Sequence, residues 1–245
     1  MKISKQSFLM RIVAVRRLLR RSPFRHDLGL KLMALYILFV GPVAIAALII
    51  ANNTQHRLEE SIQAADLALA RSIAQETDVT MRNAMRAVRD LASDPAVIHE
   101  NPDAMKGLFS TVMSARPDIN LVYRLNAQGF MIFHYPLGPG STLGNDFSFR
   151  EYFQRAQQTI NPLISIGRIS PTTGQPVATA VMPLRDSNEE FLGLVATNIK
   201  LEEISQTLVK ISREYDDEEG FEVFIIDASN QVIAHSDPER ILSLV

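Results

Sequence analysis

The sequence predicts an α+β protein with an N-terminal transmembrane helix, a long amphipathic helix and an antiparallel sheet flanked by helices. Three observations support this prediction. Residues 32–51 carry no charge, residues 53–93 have apolar side chains at helical spacing, and five short strand-like segments follow residue 119. Short strands with one helix among them favour a single antiparallel sheet on which helices pack.

The uncharged segment at 32–51 is long enough to cross a membrane. A helix of about 20 residues measures about 30 Å, the thickness of one hydrocarbon core. Residues 1–31 contain nine lysines and arginines against one aspartate, whereas the rest of the chain is acidic overall. Because positive flanks stay in the cytoplasm, we predict a plasma (inner) membrane protein with a basic cytoplasmic leader at 1–31. Residues after 52 are then periplasmic or extracellular.

Other interpretations of the N-terminal region stay open at this level. An apolar segment also fits a buried helix of a soluble protein, although such helices are usually shorter. A cleaved signal peptide is a further alternative, although its apolar region usually has only about 7–15 residues. Residues 7–25 interleave apolar and basic side chains, which suits the anionic inner leaflet as well as a leader that only sets topology.

The segment at 53–93 predicts a long stalk helix that continues out of the membrane span. It contains neither proline nor glycine, and its apolar side chains recur three and four residues apart. A rod of this kind can transmit a shift or rotation, and it can also pack along its own domain. It offers a seam for a homodimer, although the heptad pattern breaks near 75–80.

The region after residue 94 predicts one module of mixed helix and sheet, which we assign to 95–215. Asp94 and Pro95 form a helix stop signal. The predicted helices are 102–115, 149–159 and 201–215, and the predicted strands are 120–125, 130–135, 163–169, 177–183 and 191–199. In the helix at 149–159, the spacing places Phe149, Tyr152, Phe153 and Ala156 on one side.

The last segment predicts a hairpin, with strands at 221–227 and 231–235. The acidic run at 216–219 precedes it and is predicted to be a solvated turn. Because an isolated hairpin cannot bury a sheet face, we expect 221–245 to begin a truncated membrane-proximal module. A short C-terminal hairpin docked on the first module is the alternative.

Several function classes find no support in the sequence. A net charge of −2 provides no basic field for nucleic acid, and the absence of cysteine removes disulfides and thiolate chemistry. The five histidines lack metal-ligand spacing, and no phosphate-binding or nucleophile motif is present. We therefore expect no catalytic residue, metal or cofactor. A membrane-anchored hydrolase is thus disfavoured, and a non-sensory interaction protein stays as an alternative.

The stretch DFSFREYFQRA at 146–156 is the strongest binding motif. Arg150 precedes Tyr152 and Phe153 on a short predicted helix. A guanidinium offers a planar fork for a carboxylate, and aromatic rings exclude water around it. Periodicity alone favours a core position for Phe149 and Phe153, whereas an arginine on such a helix favours ligand binding.

These segments together resemble the double Cache sensor family of bacterial receptors. The similar stretches are LVYRLNAQGFMIFHY, DFSFREYFQRA, ISIGRISPTTGQPVATAVMPLRD, FLGLVATNIKLEEI and FEVFIIDASNQVIAHSDPE, within 51–244. The resemblance implies two stacked PAS-like modules outside the cytoplasm, of which the membrane-distal one binds a small ligand. It also implies a homodimeric receptor with a cytoplasmic output domain beyond this sequence. The first expectation is a two-component histidine kinase, with a diguanylate cyclase or chemotaxis receptor as alternatives.

The resemblance also implies which residues bind the ligand. Arg150 and Tyr152 match pocket-lining helix positions, with Phe153 beside them, and Arg168 and Thr179 are weaker candidates on neighbouring strands. Asn198 stands where amino-acid-binding members have an aspartate that pairs with the ligand amine, and Tyr152 stands where they have a tryptophan. Both differences argue against an α-amino acid. Arg150 without that acid favours a carboxylate or another anion.

Overall fold

The computed structural model describes residues 28–214 and 222–245. The chain divides into two compact units, Met1–Arg71 and Ser72–Val245. The basic leader up to residue 27, including the predicted inner-leaflet segment at 7–25, lies outside the described residues. So does the acidic turn predicted at 216–219.

Helix α1 runs over Leu28–Ala92 and includes Pro42. In the first unit its apolar side chains are exposed, and an 18-residue window with a mean hydropathy of 2.6 has none of its residues buried. By length and composition, this helix could cross a membrane.

The second unit contains the last part of α1 and two further helices that precede the sheet. Ile73, Ala84, Val88 and Leu91 of α1 are buried. Helix α2, Pro95–Ile98, begins at the predicted stop signal, and α3 covers Pro102–Ala115 as predicted. Asp94 and Asn101 accept hydrogen bonds from backbone N–H groups at the starts of α2 and α3, which supplies partners that the first turn lacks.

The sheet is antiparallel and has six strands. They are β1 Ile119–Asn126, β2 Met131–Tyr135, β3 Leu163–Ile164, β4 Arg168–Ile169, β5 Pro176–Arg185 and β6 Phe191–Lys200. The strand order is β2-β1-β6-β5-β3, and β4 also pairs with β5. The strand predicted at 163–169 is therefore two short strands, because Gly167 between them donates its N–H to Asp227 outside the sheet.

The two faces of the sheet carry different helices. On one face, the end of α1, α2 and α3 cover a core that includes Val122 and Val195. On the other face, α4, Glu151–Gln157, covers a core that includes Tyr123, Ala196 and Val181. Side chains alternate between faces along a strand, so neighbouring residues of β1 belong to different cores. The predicted α+β class is confirmed.

Helix α5 and the terminal hairpin complete the second unit. Helix α5 covers Leu201–Glu214, β7 covers Phe224–Ile226, and β8 covers Val232–His235, followed by a 3-10 turn at Pro238–Arg240. The hairpin contacts the sheet module through Asp227, and the N–H of His235 reaches the hydroxyl of Ser205 at 3.3 Å. That 221–245 begins a second module stays a prediction.

Candidate functional site

Phe153 packs in the hydrophobic core on the sheet face that α4 covers, and the other five predicted site residues converge on the same face. We name them the arginine cluster: Arg150, Tyr152, Arg168, Thr179 and Asn198. Thr179 of β5 lies opposite Asn198 of β6 in the strand register, which places both polar side chains side by side. Arg150 immediately precedes α4, and Arg168 lies on β4 beside Val177 of β5.

Hydrogen bonds hold Arg168 against the sheet. Its Nη2 donates to Thr179 Oγ1 at 2.7 Å and lies 3.5 Å from Asn198 Oδ1. Thr179 Oγ1 in turn donates to Asn198 Oδ1 at 2.8 Å, and Asn198 Nδ2 donates to Ser170 Oγ at 3.1 Å. Thr179 and Asn198 are 0% and 1% exposed. The buried side chains of Thr179 and Asn198 hydrogen-bond to each other, and Thr179 also accepts from Arg168. These bonds hold the Arg168 guanidinium in one position.

Tyr152 lies beside both arginines. The Arg168 Cζ atom is 5.1 Å from the centre of the Tyr152 ring, within the range of a cation–π contact. Burial raises the pKa of Tyr152 and the neighbouring Tyr123 phenol adds to this rise, against the nearby charges of Arg168 and Arg150. The Tyr152 hydroxyl therefore stays protonated at physiological pH and can donate a hydrogen bond.

Neither guanidinium of the arginine cluster has an acidic partner in the described part of the chain. Arg155 of α4 pairs with Glu151 at 2.7 Å, but no carboxylate pairs with Arg150 or Arg168. The Nε atoms of Arg150 and Arg168 are buried and have no hydrogen-bond acceptor. A buried donor without an acceptor costs about 1–3 kcal/mol, so an anion placed here would relieve that cost.

Phe153 and Phe149 occupy positions that differ from the arginine cluster. Phe153 is 2% exposed and packs in the hydrophobic core, with its ring 5.7 Å from that of Phe191. Phe149 is 63% exposed, so its predicted inward position is wrong. It precedes the first turn of α4, where helical periodicity does not govern direction, and it lies under Arg150 with 4.9 Å between Cζ and the ring centre.

Three further polar residues belong to the surroundings of the cluster and were not predicted. Tyr123 places a buried hydroxyl on the same face, next to that of Tyr152. Ser165 Oγ accepts the backbone N–H of Thr179 at 2.9 Å, and Ser170 Oγ accepts from Asn198. The alternation in LVYRL could have indicated that Tyr123 shares a face with Leu121 and Leu125, whereas the two serines lie outside the strands and follow no period.

A separate cavity of about 230 Å³ lies among α1, α5 and β7. Arg116 lines it but already forms a two-point pair with Asp118, at 2.9 and 2.6 Å. The positive charge there is neutralised within the protein. The guanidiniums of Arg150 and Arg168, by contrast, have no acidic partner among the described residues. Within 28–214 and 222–245, no three His, Cys, Asp or Glu side chains form a metal-binding group.

Comparison with known proteins identifies the family. Residues 46–244 match the family described as Cache domain. This chain is a member of the Cache domain family. The match spans most of the chain and agrees with the resemblance seen in the sequence, so the predicted family is confirmed. Among curated protein sequences, none matches this Cache protein significantly.

Solved structures similar to this Cache domain include ligand-binding domains of chemoreceptors. The domain of Pseudomonas fluorescens CtaA with L-serine has 16% identity and a TM-score of 0.55, covering 70% of this chain and 71% of its own. The domain of Pseudomonas aeruginosa PAO1 PctC with GABA has 20% identity and a TM-score of 0.56, covering 70% and 74%. Campylobacter jejuni Tlp3 with 4-methylisoleucine has 15% identity and a TM-score of 0.54, covering 71% and 68%. Similarity at these identities shows a shared fold.

Proposed function

We propose that this Cache domain is the extracytoplasmic ligand-sensing part of a transmembrane signal-transduction receptor and binds a small carboxylate. The observation that supports the ligand class is the pair of guanidiniums, Arg150 and Arg168, that lack acidic partners beside the protonated hydroxyl of Tyr152. A carboxylate accepts two parallel hydrogen bonds from a guanidinium, and such charge-assisted bonds are roughly twice as strong as neutral ones. Arg150 is the proposed primary anchor, and Tyr152 donates a further hydrogen bond.

The same geometry argues against an amino acid as the ligand. The chemoreceptors CtaA and PctC are described in complex with L-serine and GABA, which carry both an amine and a carboxylate. In this chain, Oδ1 of Asn198 already accepts from Thr179 and lies 3.5 Å from Arg168. A ligand ammonium would meet a neutral amide and a nearby guanidinium, which does not compensate for losing its hydration.

Signalling requires that the ligand favour one conformation of the receptor. A carboxylate held by Arg150, Tyr152 and Arg168 connects the start of α4 with β4, and its differential affinity for two arrangements of these elements would shift their equilibrium. We propose a membrane-anchored homodimer that passes this shift to a cytoplasmic output domain. A histidine kinase is the proposed output. A chemotaxis receptor, supported by the solved neighbours, and a diguanylate cyclase are the alternatives.

The experiment that tests ligand binding is calorimetric titration of the 245-residue chain in detergent micelles with a panel of carboxylates, amino acids and amines. We expect carboxylates to bind and Arg150→Gln to weaken their binding at least about tenfold, the loss of one charge-assisted contact. Arg155→Gln removes an equal charge five residues further along, within α4, and should leave affinity unchanged, because its guanidinium already pairs with Glu151.

Binding of amines alone, or unchanged carboxylate affinity in Arg150→Gln, would contradict the proposed ligand class. Circular dichroism melting of both variants shows whether either substitution merely unfolds the domain. A domain that binds no small molecule and captures a protein partner instead would support the non-sensory interaction protein.

A further inference from the structure

We propose that the ligand of this Cache domain is a dicarboxylate, and that Arg168 determines this specificity by binding the second carboxylate. This inference rests on the proposed carboxylate-binding function of the same site and makes it more specific. Arg150 binds one carboxylate at the start of α4, and Arg168 binds the other from β4.

The first argument is the charge of the arginine cluster. The two guanidiniums carry two positive charges, and the polar side chains that contact Arg168 are the neutral Thr179 and Asn198. No carboxylate pairs with either arginine within 28–214 and 222–245. A ligand with one negative charge would leave one partly buried cation uncompensated, whereas a ligand with two compensates both.

The second argument is the state of the Arg168 side chain. Its Nη2 is committed to Thr179, while its buried Nε–H has no acceptor. Arginine has five N–H donors, so a guanidinium anchored at one nitrogen can still bind an external carboxylate with the others. The cation–π contact with Tyr152 holds the same plane in place. Arg168 is thus a positioned and incompletely satisfied donor.

The third argument is the separation of the two anchors along the fold. Arg150 precedes α4, and Arg168 lies on β4, where the bonds to Thr179 and Asn198 prevent it from swinging freely toward Arg150. Two anchors on different elements can each bind one carboxylate of a ligand that has two. The Tyr152 ring lies against Arg168, with 5.1 Å between Cζ and the ring centre.

The test compares ligands that differ in one charge. Succinate and succinamate have the same length, but succinamate has an amide in place of one carboxylate. We expect succinate, or another dicarboxylate from the set malonate, glutarate and adipate, to bind the 245-residue chain at least tenfold more tightly than the monoamide of the same dicarboxylate. Isothermal titration calorimetry in detergent micelles measures both dissociation constants. This comparison uses the unmodified chain alone.

Variants assign the second carboxylate to Arg168. Arg168→Gln should weaken dicarboxylate binding at least tenfold and leave monoamide binding nearly unchanged, and Arg168→Lys should restore part of the loss. Arg155→Gln should change neither ligand's affinity. Asn198→Asp would place a carboxylate next to Arg168 and should weaken dicarboxylate binding in the same direction. Melting curves by circular dichroism identify variants that do not fold.

The outcomes separate this inference from the proposed function. If the monoamide binds as tightly as the dicarboxylate, the second-carboxylate inference is overturned while carboxylate sensing stands. Tighter binding of inorganic phosphate or sulfate than of any dicarboxylate also overturns it. If only amino acids bind, or no anion binds, both the inference and the proposed ligand class are wrong.

Discussion

At the scale of single residues, the buried and partly buried arginines of this protein differ in their hydrogen-bond partners. Arg124 is fully buried on the sheet face opposite the arginine cluster, and its guanidinium donates to the carbonyls of Val97, Leu125 and Leu192. Burial lowers the pKa of Arg124 to about 10, although nearby Glu100 acts in the opposite direction. Arg124 thus connects α2, β1 and β6, whereas the arginines of the cluster retain unpaired donors.

Gly193 makes room for Arg124, and this predicts a marked effect of Gly193→Ala. Gly193 has a φ of +108°, and an added Cβ would overlap the carbonyl of Leu125 and the Arg124 guanidinium. We expect a loss of at least about 2 kcal/mol of unfolding free energy, which lowers Tm by about 4 °C or more. Circular dichroism melting of the chain in micelles measures this change.

The control for this prediction is Gly138→Ala, where no atom lies within 4 Å of the added Cβ. It should change the unfolding free energy by less than about 0.5 kcal/mol. Equal melting temperatures for the two variants would show that the Gly193 position tolerates a side chain and that Arg124 is less tightly packed than described.

At the scale of elements, β4 links the arginine cluster to the terminal hairpin. Arg168 enters the cluster, while the preceding Gly167 donates its N–H to Asp227 Oδ2 at 3.2 Å. An added Cβ at Gly167 would lie 2.9 Å from Leu242 Cδ2 and 3.2 Å from Ile233 Cγ2, so β4 and the hairpin are closely packed. A ligand that moves Arg168 would therefore act on the hairpin through a direct contact.

Asp227 gives this contact a pH dependence. Burial raises the pKa of Asp227, but hydrogen bonds from Gln231, Ser229 and Gly167 outweigh it and hold the pKa below its usual value. A carboxylate with a depressed pKa stabilises the folded state above its unfolded pKa of about 4, and this contribution is lost as pH falls through the folded pKa. We expect hydrogen-exchange protection of 224–245 to decline in that acidic range.

Asp227→Asn should reduce hairpin protection already at pH 7 and flatten its decline on acidification. Asp186→Asn, in the turn between β5 and β6, serves as the matched control and should leave the hairpin unaffected. Glu222 pairs with Arg240 near the hairpin, but this pair is present in every variant and cancels in the comparison. Identical profiles for Asp227→Asn and the unmodified chain would refute the role of this carboxylate.

At the scale of the whole molecule, charge and hydropathy predict a membrane orientation. The first 31 residues are strongly basic, the next segment is apolar, and the remainder is acidic. The absence of cysteine permits single-cysteine labelling without removing native thiols. We predict that Asn53→Cys reacts with a membrane-impermeant maleimide in intact cells, whereas Ser22→Cys reacts only after permeabilisation. The reversed pattern would place the Cache domain in the cytoplasm and exclude sensing of external ligands.

The sequence predicted the order of helices and strands more completely than it predicted the arrangement of the candidate site. The order of helices and strands was predictable because hydrophobic periodicity and turn residues act over short stretches. The division of 163–169 into two strands was not, because it depends on Gly167 contacting Asp227, 60 residues away. The motif at 146–156 indicated Arg150 and Phe153 together. It gave no indication that Arg150 would lie in the arginine cluster while Phe153 packs against Phe191.

The amino-acid sequence by itself determined the apolar span, the asymmetry of charge around it, the α+β class and the Cache family. These properties depend on composition and local spacing, which the linear chain already contains. Only the tertiary structure decided that Arg168 is held by Thr179 and Asn198 beside Tyr152, and that no described carboxylate neutralises either arginine of the cluster. The reason is physical: unpaired charge is a property of three-dimensional neighbours, and strand register and helix packing bring those neighbours together.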